Sequence, residues 1–210
     1  MESTAGTVLA VCRVHQLLPD RGPVGVTAID KRPVDGPVRV GRLGLYADVQ
    51  ASRDHHGGAD QAVYAYSDEE ARRWEAELGR EIAPGLFGEN LRVAGVATTD
   101  AVVGERWRVG PDVVLEVTMP RTPCSTFARR MGEAGWVGRF AERADVGCYL
   151  RVVRKGSLRA GDRIEVLDRP AHGVTVRRVF TGLDRAGAEA LRAGHDAGEW
   201  ELPEKVLRLV

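Results

Sequence analysis

The segment Pro120-Arg121-Thr122-Pro123-Cys124 restricts this chain more than any other stretch. It closes an apolar run that includes Val113, Val114, Leu115 and Val117. Each proline fixes φ near one value and pushes the residue before it out of the helical region. The run therefore leaves its strand through a stiff turn, and that turn presents a cysteine close to an arginine. A neighbouring cation favours the thiolate, which is the form that attacks electrophiles or binds metal. The same residue also fits a plainer role, because a free cysteine is often a small buried apolar side chain.

A chain of 210 residues, 43% hydrophobic and 29% charged, can bury one good core and carry a small appendage. Lysine plus arginine balance aspartate plus glutamate at 30 each, so no overall field draws in nucleic acid or an anionic membrane. Neither partner is expected. Lys31, Lys155 and Lys205 are the only lysines in an otherwise arginine-based set of cations, which makes the position of Lys31 notable. Cys12, Cys124 and Cys148 form no C-x-x-C pair, and an odd number of cysteines argues against a disulfide framework. No apolar run approaches a membrane span, and the N-terminus lacks the pattern of a secretory leader. A reducing cytoplasm is the expected location.

Strands are expected over residues 7–16, 24–29, 37–45, 112–118 and 148–153, from their β-branched and alternating composition. Two similar units, 103–109 and 160–166, are Gly-acidic-Arg turns that feed alternating strands, a pattern suited to tight corners of a barrel-like sheet. The first clear helix runs from Asp68 to Leu78. Ser67 and Glu70 are placed for a capping box, Ala71, Trp74 and Leu78 form its apolar stripe, and Gly79 stops it. Residues 125–143 read as a helical segment weakened by Gly132, Gly135 and Gly138. Beyond Pro170 the apolar spacing turns helical. The expected architecture is mainly β with α, a β domain over 1–169 and a small helical extension over 170–210.

Four polar clusters fall in loops between these strands, where sites are usually built. They are Asp30-Lys31-Arg32-Pro33, then Asp48-Val49-Gln50 with His55-His56-Gly57-Gly58, then Phe87-Gly88-Glu89-Asn90-Leu91, and the Arg121–Cys124 turn. Taken singly, each has an ordinary structural reading. The first could be a solvated turn, and Asn90 could bond its own backbone. Adjacent histidines need a turn to converge on zinc, and no Cys or Glu stands at ligand spacing. Gly57-Gly58 would let the backbone approach a ligand and offer amides to an anion.

Together and in this order, these motifs resemble the MOSC domain family, named for the C-terminal domain of molybdenum-cofactor sulfurase, and within it the bacterial YiiM-type branch. Ile29-Asp30-Lys31-Arg32-Pro33-Val34, His55-His56-Gly57-Gly58, Phe87 to Leu91 and Pro120 to Cys124 carry the likeness, with support from residues 147–151 and Gly161-Asp162. It spans residues 24–168. The tail is similar to that branch's helical extension but shortened, a departure that bears on contacts made by the tail. The resemblance implies a twisted β-barrel with peripheral helices and a pterin-based molybdenum cofactor, with Cys124 as the protein ligand to the metal. It implies cofactor contacts for Lys31, Arg32, Gly57, Gly58, Asn90 and Arg121, with Lys31 near the phosphate and Arg121 keeping Cys124 deprotonated.

The implied reaction is reduction of N-hydroxylated compounds of the hydroxylaminopurine type, N–OH going to N–H and water. Asp48, His55 or His56 could supply the proton, and the sequence does not choose among them. No G-x-G-x-x-G fingerprint and no iron–sulfur cysteine set is present, so no flavin or cluster is expected in this chain and a separate electron-donating reductase is implied. A sulfur-carrier or cofactor-delivery protein would need the same thiol and anion pocket. A Cys-His hydrolase would need a histidine beside Cys124 and an oxyanion hole.

Overall fold

The computed structural model describes residues 5–22, 24–51 and 57–210. The strands are β1 (Ala5–Val14), β2 (Leu18–Pro19), β3 (Val26–Thr27), β4 (Lys31–Pro33), β5 (Val38–Gly41), β6 (Gly44–Leu45), β7 (Val63–Ser67), β8 (Leu91–Ala94), β9 (Arg106–Val109), β10 (Val113–Pro120), β11 (Cys148–Arg154), β12 (Gly156–Leu158) and β13 (Arg163–Asp168). The helices are α1 (Asp68–Leu78), α2 (Ser125–Met131), α3 (Trp136–Arg143), α4 (Val176–Thr181), α5 (Arg185–Asp196) and α6 (Glu204–Leu207).

Among the described residues the main sheet runs β13-β9-β10-β11-β7-β8-β1, and β1 pairs back with β13 to close it, so seven strands form a barrel with β4 branching off β1. All pairs in the ring are antiparallel except β7 with β8. Closure removes the open edges that would otherwise template association. The two Gly-acidic-Arg units become partners: β9 and β13 pair with Val109 opposite Ile164 and Trp107 opposite Val166. Strands β7 and β10 are buried along almost their whole length rather than alternately. A strand reads this way when both faces are covered, here by the barrel interior on one side and helices on the other.

The helical layer is aromatic. Trp74 of α1, Phe127 of α2, and Trp136 and Phe140 of α3 pack together with Phe87, with ring centroids 4.6–5.9 Å apart. Such offset and edge-on pairs add to the burial of their area. The segment expected as one helix over 125–143 is two, because Gly132 and Gly135 both adopt positive φ between α2 and α3. Helix α1 has the bounds expected of it, but its capping box is half formed. Ser67 Oγ accepts from Glu70 N–H, whereas the Glu70 side chain turns away to Thr98 and Thr99. The expected strand over 24–29 is reduced to β3, which forms a short hairpin with β2. Residues 170–210 bury Val174, Val176, Val179, Leu191, Leu202 and Val206 in the same core as the barrel. No helix among the described residues is long and apolar enough to cross a membrane.

Candidate active site

One end of the barrel opens into a cavity of about 280 Å³ lined by Lys31, Asp48, Asn90, Arg121 and Cys124 together. These residues come from β4, from two loops, and from the exit of β10. The register explains the last. Pro120 lies opposite Cys148, after a bulge between Val117 and Met119, and the strand ends there. Bulges are common where a barrel rim turns a side chain toward a site. Thr118 fastens the bulge, its single hydroxyl proton shared between the carbonyls of Asp60 and Tyr149 at 2.6 and 3.0 Å. The stiff turn then delivers Cys124 to the N-cap position of α2 with extended backbone and no side-chain capping bond. Its thiol is half-buried and faces the cavity.

Arg121 is buried, with 6% of its surface exposed. Its guanidinium lies over the Phe127 ring at 3.8 Å and near those of Tyr64 and Phe140 at 5.7 and 5.9 Å. Nη1 has no hydrogen-bond partner, and no described carboxylate pairs with the group. A buried cation without a counter-ion is costly, and the ring faces offset only part of that cost. This is a place for an anion.

Lys31 differs. It donates to Asp48 Oδ2, so its charge is already compensated in a pair whose side chains are 10% and 7% exposed. Asp48 Oδ2 also accepts from Asn90 Nδ2 at 2.8 Å, and Oδ1 accepts from Val14 N–H at 2.8 Å. With three donors converging on it, Asp48 serves in this arrangement as an acceptor. Asn90 does not bond its own backbone. Its Oδ1 accepts from Tyr64 N–H at 3.1 Å and its Nδ2 also donates to the Cys12 carbonyl, so one amide ties β1, β7 and Asp48 together. Glu89, the neighbour of Asn90, holds the loop by accepting from the amides of Gly85 and Phe87 and from Arg92. Gly85 sits at φ +89 against the Lys31 carbonyl, where any Cβ would collide with backbone.

Asp30 anchors the first cluster. Burial works against its charge, but hydrogen bonds from Gln16, Arg32 and Arg130 hold its carboxyl below the usual range. Two of the sequence expectations are not met by the geometry. Arg32 is half exposed, pairs with Asp30 and does not line the cavity, because successive residues of β4 face opposite ways. Gly57 and Gly58 are not among the lining residues, and the Gly58 amide donates to Gln50 Oε1 at 3.1 Å. His55 and His56 lie outside the described residues. Among the described residues no three His, Cys, Asp or Glu side chains gather at metal-binding range; Cys124 is the sulfur donor that lines the cavity, beside the Asp20 and Asp48 carboxylates.

Sequence reasoning missed Tyr64, Tyr149 and Gln61, which also line the cavity, and the β2–β3 hairpin that overhangs it through Asp20, Val24 and Val26. Asp20 fastens the hairpin to α2 by two-nitrogen contacts from Arg129 at 2.7–2.9 Å and a bond from Thr126 at 3.0 Å. Gly147-Cys148-Tyr149 was a visible signal, since a strand that starts opposite the Pro120 turn must bring its first residues to the same rim. The other two thiols are fully buried in strands. Burial first, then the Glu89 charge, pushes the Cys12 thiol up to about 12, and burial pushes Cys148 well above its ordinary value.

The fold and motifs agree with comparisons to known proteins. The family model described as "MOSC domain" matches residues 52–165. The chain is 34% identical over 151 residues to the uncharacterized protein YflK of Bacillus subtilis, covering 72% of this chain and 68% of that one. It is 33% identical over 147 residues to a protein named "Reductase" from Gibberella moniliformis, covering 69% of this chain but 26% of that one, so most of that reductase has no counterpart here. The crystal structure of YiiM from Geobacillus stearothermophilus superposes with a TM-score of 0.74 at 24% identity over 97% of this chain and 96% of that one. The closed barrel, the Pro-Cys turn at its rim and the family match over more than half its length make this chain a member of the MOSC domain family.

Proposed function

We propose that the protein is a molybdenum-cofactor-dependent reductase of N-hydroxylated compounds. The observation that carries the reading is the pairing, in one cavity, of a half-exposed thiol, Cys124, with a buried guanidinium, Arg121, that has no anion of its own. A soft thiolate and an unsatisfied cation are the complement of a soft metal carried by an anionic organic group. The residues present therefore fit the cofactor that MOSC domains are associated with. Cys124 would ligate the metal, and Arg121 would meet the anionic portion. Lys31, Asp48 and Asn90 would form a preorganised wall, their mutual bonds already made before a ligand arrives.

The bound cofactor supplies the two-electron reduction by which R–NH–OH, with two protons, becomes R–NH2 and water. The chain's part is to bind and orient. The apolar ends of the cavity, Val24, Val26, Ile29 and Phe87, suit a flat ring system. Electrons would come from a separate reductase protein. The Gibberella relative is named a reductase and extends far beyond the matched stretch, which supports a redox setting for this domain.

The test is protein purified from a host that makes the cofactor, assayed for molybdenum by elemental analysis and for reduction of 6-hydroxylaminopurine with an artificial electron donor. Stoichiometric metal with turnover is the expected result. Metal or sulfur transfer without turnover would assign the protein to cofactor or sulfur handling instead.

A further inference from the structure

Beside the cavity mouth, the outer wall carries an apolar spot ringed by arginines that have no acid. Strands β5 and β6 form a hairpin whose inward side chains, Val38, Val40 and Leu45, belong to the core. Its tip is pinned, because Gly44 sits at φ +115 where any Cβ would collide with the Ala62 carbonyl. The hairpin presents Leu43 and Tyr46 to solvent, 60% and 61% exposed. Arg39 lies over the Tyr46 ring at 4.3 Å, Arg13 donates to the Tyr46 carbonyl at 2.9 Å, and Arg42 is exposed next to Leu43 in the turn. Asp48 and Val49, which follow directly, line the cavity, so the spot adjoins its mouth.

Elsewhere on the surface, arginines are mostly neutralised by a neighbour: Arg72 by Asp68, Arg108 by Glu165, Arg139 by Glu77 and Arg185 by Glu189. Among the described residues no carboxylate pairs with Arg13, Arg39 or Arg42, nor with Arg21 on the hairpin that overhangs the cavity. Arg154, Arg163 and Arg192 also lack one, but they belong to β11, β13 and α5. In a chain of zero net charge this is a local excess, and it favours a surface of the opposite sign. Exposed tyrosine with arginine is also the composition of interface centres. A second copy docked about a twofold axis would set these arginines against one another. A nucleic acid strand calls for cations strung along a groove, whereas these encircle one apolar hairpin.

We propose that the face formed by Arg13, Arg39, Arg42, Leu43 and Tyr46 docks an acidic electron-transfer protein and sets it at the mouth of the cavity that holds Cys124. The partner's redox role rests on the reductase reading above; the preference of this face for an acidic protein does not. Breaking one N–O bond consumes two electrons and two protons. The partner is oxidised by two electrons per turnover, in one encounter or two, and water supplies the protons.

Holoprotein is assayed with 6-hydroxylaminopurine and two donors: reduced methyl viologen, which needs no docking face, and a reduced plant-type 2Fe–2S ferredoxin as the acidic protein. Wild type is compared with Arg39→Glu/Arg42→Glu, with Tyr46→Ser, and with Arg163→Glu/Arg192→Glu, which makes the same charge change elsewhere. Binding of oxidised ferredoxin is followed by titration calorimetry at low and physiological salt. The expected result is a KM for ferredoxin raised by about 10-fold or more in Arg39→Glu/Arg42→Glu and less in Tyr46→Ser, and close to wild type in the control pair. Viologen-driven kcat should be the same in all four, and the wild-type KM should rise with salt. An unchanged ferredoxin KM in Arg39→Glu/Arg42→Glu, or an equal rise in the control pair, would overturn the proposal. So would a dimer in light scattering that this variant dissociates, or a single-stranded DNA oligonucleotide whose binding it abolishes while ferredoxin is unaffected. If viologen drives no reduction, the reductase reading fails by itself. Calorimetry then decides the face: salt-sensitive ferredoxin binding, lost in Arg39→Glu/Arg42→Glu and kept in the control pair, upholds it, and no binding ends it.

Discussion

The guanidinium of Arg121 sits 3.8 Å from the centre of the Phe127 ring, and no acceptor in the described structure reaches its Nη1. Aromatic faces hold a cation by electrostatics worth about 0.5–2 kcal/mol. Removing an unpaired charge from water costs several kcal/mol. The protein alone therefore carries an imbalance at this point that an incoming anion would relieve. Most other arginines near the core have a carboxylate: Arg92 has Glu89, Arg177 has Asp100 and Asp145, and Arg151 has Asp60 and Glu116.

That imbalance predicts an unusual phenotype for Arg121→Met, which keeps the length and apolar stem of the side chain. Removing a structural buried cation normally destabilises, because it strands a partner. Arg121 has no partner to strand. The variant should melt at or slightly above the wild-type temperature while losing most of its bound molybdenum. A fall in stability of several kcal/mol with metal retained would show that the cation serves the fold and not a ligand.

The three thiols should separate cleanly by reactivity. Native protein treated with iodoacetamide near pH 8 should be labelled at Cys124 alone, because Cys12 is pushed up to about 12 and Cys148 higher than its ordinary range by burial. Cys124→Ser should abolish both labelling and molybdenum binding in a folded protein. Cys12→Ser and Cys148→Ser should keep both, at a stability cost of about 1–3 kcal/mol for placing a hydroxyl in apolar surroundings. Peptide mapping of the alkylated protein checks the first point. Labelling at either strand cysteine would mean that the wrong sulfur has been assigned.

The legibility of this chain follows from what each signal depends on. The barrel corners, the Pro-Cys turn and α1 were readable because they rest on local chemistry: proline geometry, a Gly-acidic-Arg turn, a Ser cap and a Gly stop. The shared site of Lys31, Asp48, Asn90, Arg121 and Cys124 was readable only as a set of motifs in a known order. Arg32 falls outside the cavity for a local reason, since one step along a strand reverses the face. The partners of Asn90 were hidden for a non-local one, because Tyr64, Cys12 and Asp48 are 26, 78 and 42 residues away.

The β2–β3 hairpin should behave as a fastened flap. Hydrogen bonding from Arg129, ahead of the opposing effect of burial, holds the Asp20 carboxyl below its ordinary 3.8. A depressed carboxyl contributes stability above its unfolded value, and the contribution disappears as pH falls through the lower folded value. Protection from hydrogen exchange over residues 18–27, taken relative to the intrinsic amide rate at each pH, should be high at neutral pH and fall below about pH 4. In Asp20→Ala the protection should be low at both. Exchange that is unchanged by the substitution would mean that the hairpin is held by Val24 and Val26 and not by the ion pair.

Glu70 gives the opposite sign of pH dependence. Burial, only partly offset by donors from Thr99 and Thr98 and reinforced by the Asp145 charge, raises its carboxyl from 4.5 to about 7. The folded protein therefore prefers it protonated while the unfolded chain ionises it. Stability linked to this group is complete below pH 4.5 and is lost as pH rises through 7, by up to about 3 kcal/mol. Glu70→Gln mimics the neutral form and keeps an acceptor for the threonines. It should raise the melting temperature at pH 8 and leave it nearly unchanged at pH 4. Because Thr99 also accepts from Gly147 N–H at 2.8 Å, at the entrance to β11, the gain should appear together with slower exchange of the Gly147 amide. A variant that is less stable than wild type at pH 8 would show that the ionised carboxylate is the native form of this network.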